Sequence, residues 1–74
     1  MNIIELQKKL NDQGISKAMY HVGGGLPNEA YCISNNGHHW EVYYSERGTK
    51  SDVKKFSSEL EACEYFYKLL LSEY

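Results

Sequence analysis

The sequence predicts an α+β fold: an antiparallel three- to four-stranded sheet with an N-terminal and a C-terminal helix packed on one face. Three observations predict it. Both ends of the chain carry apolar residues at helical spacing behind capping signals. Between them, residues 29–34 and 38–45 alternate with period two around Asn36-Gly37. Finally, 74 residues make one domain, 1–74, with no room for a deep cleft between two lobes.

The first helix is expected over residues 2–13. Asn2 and Glu5 have capping-box spacing, and Ile3, Leu6 and Leu10 form one stripe with Ile4 beside it. Gly14 suits a left-handed C-terminal cap, letting Ile15 fold back onto Leu10. A first strand is expected over Lys17 to Val22, where Ala18, Tyr20 and Val22 alternate with polar neighbours. Gly23-Gly24-Gly25 ends it, and Pro27 biases Leu26 toward extended backbone, so residues 23–28 read as a loop.

Glu29 to Ser34 and His38 to Ser45 are the strongest strands. Asn36-Gly37 reads as a tight two-residue turn between them, since both residues tolerate positive φ. Trp40, Val42 and Tyr44 form the more apolar face and should meet the helices. Glu41, Tyr43 and Ser45 then face away, on a side open to solvent or a partner. Glu46-Arg47-Gly48 reads as a second turn. Thr49 to Phe56 reads as an edge strand guarded by Lys50, Lys54 and Lys55. The last helix opens with the capping box Ser58…Glu61. Its predicted apolar face is Leu60, Cys63, Phe66, Tyr67, Leu70 and Leu71.

Composition narrows the function. Ten aromatic residues (seven Tyr, two Phe, one Trp) are too many for a disordered tail. The net charge of −2 argues against a dedicated nucleic-acid binder. No apolar run reaches membrane-spanning length, and the N-terminus lacks the regions of a signal peptide, so the expected location is the cytoplasm. There, Cys32 and Cys63 read as reduced, buried small hydrophobes.

The chemical motifs are weak. The glycine run lacks the Lys-Ser or Lys-Thr and the following helix of a phosphate loop. His21, His38, His39, Cys32 and Cys63 are zinc-ligand types without zinc-ligand spacing, so no metal and no cofactor is expected. A pocket large enough for catalysis would consume much of so small a core, which argues against an enzyme. Helix, three strands and helix is also the order of double-stranded-RNA-binding domains, and Arg47, Lys50, Lys54 and Lys55 lie just before the last helix. However, the first turns of that helix carry Glu59, Glu61 and Glu64, which would repel phosphate.

Three stretches carry a resemblance. They are Leu26-Pro27-Asn28-Glu29-Ala30-Tyr31-Cys32-Ile33, Trp40-Glu41-Val42-Tyr43-Tyr44-Ser45-Glu46-Arg47-Gly48, and Phe56 with Glu61-Ala62-Cys63-Glu64-Tyr65-Phe66. Together, over roughly residues 2–72, they resemble the small immunity proteins of bacterial polymorphic toxin systems, immunity protein 59 type. The resemblance implies a non-enzymatic cytosolic protein, monomeric or weakly dimeric, that binds and neutralises a cognate toxin. On the residues, the expected contact surface is the sheet face with Glu41 and Tyr43, framed by Glu46 and Arg47. The outer face of the last helix, with Glu61, Glu64 and Tyr65, is the second choice. The alternatives are a small nucleic-acid-binding domain of the double-stranded-RNA-binding type and a housekeeping protein-interaction module.

Overall fold

The computed structural model describes residues 1–73. The order is α1 (Ile3–Asp12), β1 (Tyr20–Val22), β2 (Ala30–Asn35), β3 (Trp40–Glu46), β4 (Thr49–Phe56) and α2 (Glu59–Glu73). The strands lie in the order β1-β2-β3-β4, so β4 is an edge, as its lysines predict.

Both helix starts form as their sequences dictate. The Asn2 side chain accepts from the Glu5 N–H at 2.8 Å, and the Ser58 hydroxyl accepts from the Glu61 N–H at 3.2 Å. At the end of α1, Gly14 takes φ 76°. Its N–H reaches the Asn11 carbonyl at 3.0 Å, and the Ile15 N–H reaches the Leu10 carbonyl at 3.1 Å. Those two bonds are a Schellman cap, and Ile15 is buried by it.

Both helices cover the Trp40 face. Leu6 and Leu10 of α1 and Ala62, Cys63, Phe66 and Leu70 of α2 close on Tyr20, Ile33 and Val42, with Trp40, Tyr31 and Phe56 packed around them. A backbone-to-side-chain hydrogen bond joins the two helix starts: the Ile3 N–H donates to Glu59 Oε2 at 3.0 Å. The buried face of α2 is rotated from the expected one. Leu60 and Leu71 lie outside at 51% and 42% exposure, and Ala62 takes a core place. With this rotation the Tyr65 ring packs on Phe56 of β4, 5.2 Å between centroids.

Two further expectations are corrected. The β2–β3 connection is a four-residue turn, 36–39, because Asn35 pairs with Trp40. The Asn36 carboxamide oxygen accepts from the His38 and His39 N–H groups at 2.9 and 3.0 Å, and this asparagine turn outcompetes the tighter one.

The sheet is also mixed rather than antiparallel. β2, β3 and β4 form an antiparallel meander, but β1 pairs with β2 in parallel, Tyr20 opposite Tyr31 and Val22 opposite Ile33. β1 is short because residues 16–19 are spent in a turn, closed by the Met19 N–H on the Ser16 carbonyl at 3.0 Å. To run parallel, the chain must travel back along the sheet between Val22 and Ala30. It does so as a strap, residues 23–29, laid over the face that the helices leave. Gly24 (φ 94°) lies where an added Cβ would stand 3.5 Å from the Ser34 Cβ. The small side chains of Ala30, Cys32, Ser34 and Ser45 make the room beneath.

Candidate functional site

The strap covers the first-choice residues. Glu41, Tyr43 and Ser45 do point away from the helices, but that face is not open. Tyr43 is 1% exposed and Glu41 7%. The Tyr43 hydroxyl donates to the Gly25 carbonyl of the strap at 2.7 Å. Lys50 reaches from β4 across the Tyr43 ring, 4.4 Å from its centroid, to Glu41 Oε1 at 2.7 Å. On the other side, His39 Nε2 lies 3.6 Å from Glu41 Oε2.

The titration behaviour follows from this packing. Lys50 is the main cause holding the Glu41 carboxyl below its ordinary value, against the opposing effect of burial. Burial, with Cys32 beside it, pushes the Tyr43 hydroxyl up to about 12. Burial likewise raises the Cys32 thiol, and raises Cys63 to about 11. Both thiols are therefore held in their neutral, weakly nucleophilic form. The arrangement is a locked polar layer: it fixes the strap and the β3–β4 hairpin and keeps Glu41 and Tyr43 from a partner.

The exposed candidates lie at the end of the same hairpin. Glu46 pairs with Thr49, leaving Arg47-Gly48 as a two-residue turn with φ 50° and 78°, the type I′ geometry. Arg47 is a poor residue for that conformation, but its N–H is secured by Asn28 Oδ1 at 3.2 Å, on the neighbouring end of the strap. Glu46 and Arg47 are both exposed. So one half of the expected surface is accessible and the other half, Glu41 and Tyr43, supports it from within. On the second-choice surface, Glu61 and Glu64 are exposed, while Tyr65 is half-buried against Phe56.

A third region was not singled out by sequence. A cleft of ≈ 200 Å³ opens on the helix side of the sheet, between β3, β4 and the last turns of α2. It is lined by Tyr31, Tyr44, Asp52, Lys54, Tyr65 and Glu73, among others. The Tyr31 and Tyr44 rings stand 4.8 Å apart, and the Tyr31 hydroxyl donates to Glu73 Oε1 at 2.9 Å. Asp52 enters the cleft because β4 bulges opposite Tyr43: the register slips between Val42↔Lys54 and Tyr44↔Ser51, and Asp52 takes φ 52°. Alternation alone cannot reveal this, since a bulge re-aims a side chain against the period of the strand.

The basic residues do not form one patch. Lys54 lies on the helix side and lines the cleft, Lys55 is opposite Glu41 on the strap side, and Lys50 is engaged by Glu41. Among the described residues, no group of three or more His, Cys, Asp and Glu could hold a metal ion, and no helix is long and apolar enough to cross a membrane. No family model, no curated protein and no solved structure matches the chain.

Proposed function

We propose that this chain is a non-enzymatic cytosolic immunity protein that binds and neutralises a cognate bacterial toxin domain, and that it does so with the sheet end that presents Glu46 and Arg47. The supporting observation is the pre-organised turn. Arg47 is held in a left-handed conformation on a hairpin braced by Lys50–Glu41 and Tyr43–Gly25. A protein that acts by blocking another protein benefits from a rigid exposed contact, because little ordering entropy remains to be lost on binding. Glu41 and Tyr43 enter this reading as positioning residues. The division of the lysines between two sheet faces favours it over a duplex-RNA binder, which needs basic groups along one surface.

Co-expression with a toxin encoded beside the gene tests the reading. Glu46→Lys and Arg47→Gly should lose protection while keeping at least the wild-type melting temperature. If both variants protect and Glu61→Lys or Tyr65→Ala does not, the contact surface is α2. If no neighbouring toxin is neutralised by the wild-type chain, the immunity reading fails.

A further inference from the structure

We infer that the tyrosine-lined cleft is a receptor for a cationic side chain of a protein partner, an arginine guanidinium in particular. The inference deepens the binding reading above by assigning the partner group that this end of the sheet accepts. Its first ground is uncompensated charge. Asp52 and Glu73 line the cleft, and Glu29 and Glu46 lie near enough to Tyr44 to act on its hydroxyl electrostatically. Among the described residues, none of these four carboxylates has a cation within ion-pair distance, and the ion pairs of the chain are made by Glu41 instead. Lys54 is the one cation among the described lining residues, and Arg47 lies beside Glu46 at the same end, so two cations stand against these four carboxylates.

The second ground is the wall on which the charge is mounted. Tyr31 and Tyr44 form a tilted aromatic pair, and Tyr65 and Leu69 close the α2 side. An aromatic surface bordered by the Asp52 and Glu73 carboxylates suits a group that is flat, cationic and weakly hydrated. A guanidinium can stack on a tyrosine face while its N–H groups fan out to several carboxylates. An ammonium matches the charge but not the plane. The influence of Glu46 and Glu29 on Tyr44 is already felt within the chain, where they add to the burial that raises its hydroxyl pKa.

The third ground is construction. Among described non-glycine residues, left-handed backbone occurs at Glu29 (φ 52°), Arg47 (φ 50°) and Asp52 (φ 52°), all at this end of the sheet. One of the three, Asp52, brings its carboxylate into the cleft beside the tyrosines. In an unbulged β4 the residue opposite Tyr43 would sit on the strap side, away from the cleft.

The test is an NMR titration of the ¹⁵N-labelled chain with acetylated, amidated tetra-arginine and tetra-lysine peptides at low salt. The arginine peptide should shift the amides of Tyr44, Asp52, Lys54 and Glu73, and should bind several-fold more tightly than the lysine peptide. Asp52→Asn with Glu46→Gln should weaken it about threefold to tenfold, since the pair of changes removes two exposed carboxylates from the guanidinium's surroundings. Asparagine tolerates the left-handed backbone, so the bulge is kept. Asp12→Asn, a charge change of the same kind on α1, should leave the affinity unaltered. Shifts centred on Glu5, Glu61 or Glu64, or an affinity indifferent to Asp52→Asn and Glu46→Gln, would overturn the site. Equal affinity for the two peptides would overturn the guanidinium assignment. Because no toxin is used, failure here leaves the co-expression result standing, and the reverse also holds.

Discussion

Replacing Lys50 by methionine should destabilise the protein at neutral pH far more than a surface lysine normally would. The change keeps most of the aliphatic stem over Tyr43 and removes the charge 2.7 Å from Glu41. Glu41 is buried, so its carboxylate would be left with His39 at 3.6 Å as its neighbour. Removing one partner of a fully buried pair costs about 3–5 kcal/mol, and an exposed pair is worth about 0–1 kcal/mol. Lys50 is itself 43% exposed, which places the expected loss between them, at about 2 kcal/mol. For a domain of this size that is a drop of roughly 8–16 °C in melting temperature.

The pH dependence gives the sharper check. Lys50 holds the folded-state pKa of Glu41 below its unfolded value. The stabilisation is therefore complete above the unfolded pKa and is lost as pH falls through the lowered folded one. In Lys50→Met the opposing effect of burial becomes the dominant one, so Glu41 takes up a proton at higher pH and the penalty disappears on acidification. Urea denaturation at pH 7 and near pH 4 should show the gap between wild type and variant narrowing. In a Glu41→Gln background Lys50→Met should cost little. A gap that is unchanged with pH, or equally large in the Glu41→Gln background, would refute the account of the pair.

Three other outcomes follow from the same geometry. Tyr43→Phe removes the bond to the Gly25 carbonyl and should cost about 1 kcal/mol in urea denaturation, with faster amide exchange at Gly23, whose N–H bonds the Ile33 carbonyl. Arg47→Gly relieves left-handed strain and should hold or raise the melting temperature, by up to about 1 kcal/mol in stability, even as it removes a contact side chain. Cys32 and Cys63, both fully buried with raised pKa, should resist a thiol reagent in the native protein and react together on unfolding, which a timed colorimetric titration with and without urea reads directly.

The elements were legible because their signals are local. Asn2, Gly14 and Ser58 mark helix ends, and the Trp40-Val42-Tyr44 alternation assigns the helix-facing side of β3. The direction of β1 was not, because a three-residue strand carries no mark of the direction in which it pairs. The available clue lay in two places at once. Three consecutive glycines precede β2, and β2 and β3 place small residues, Cys32, Ser34 and Ser45, on the side away from the helices. Small side chains on one sheet face opposite a glycine run signal a backbone crossing. Taken separately, each reads as a loop or a polar strand face. The covered state of Glu41 and Tyr43 follows from that crossing, and the cleft follows from a bulge that hydrophobic period cannot report.

The parallel strap also bears on the chain before it is fully folded. The β2–β3–β4 meander closes through short turns, whereas β1 can dock only after residues 23–29 have found their path across it. Until then β2 is a bare sheet edge with Tyr31, Cys32 and Ile33 in a row, the composition that invites pairing with another molecule. The finished protein replaces that edge with one three residues long and leaves its other border to the lysine-rich, bulged β4. Cover for that edge depends on the glycine strap, and a variant that slows strap closure should lose soluble yield before it loses native stability.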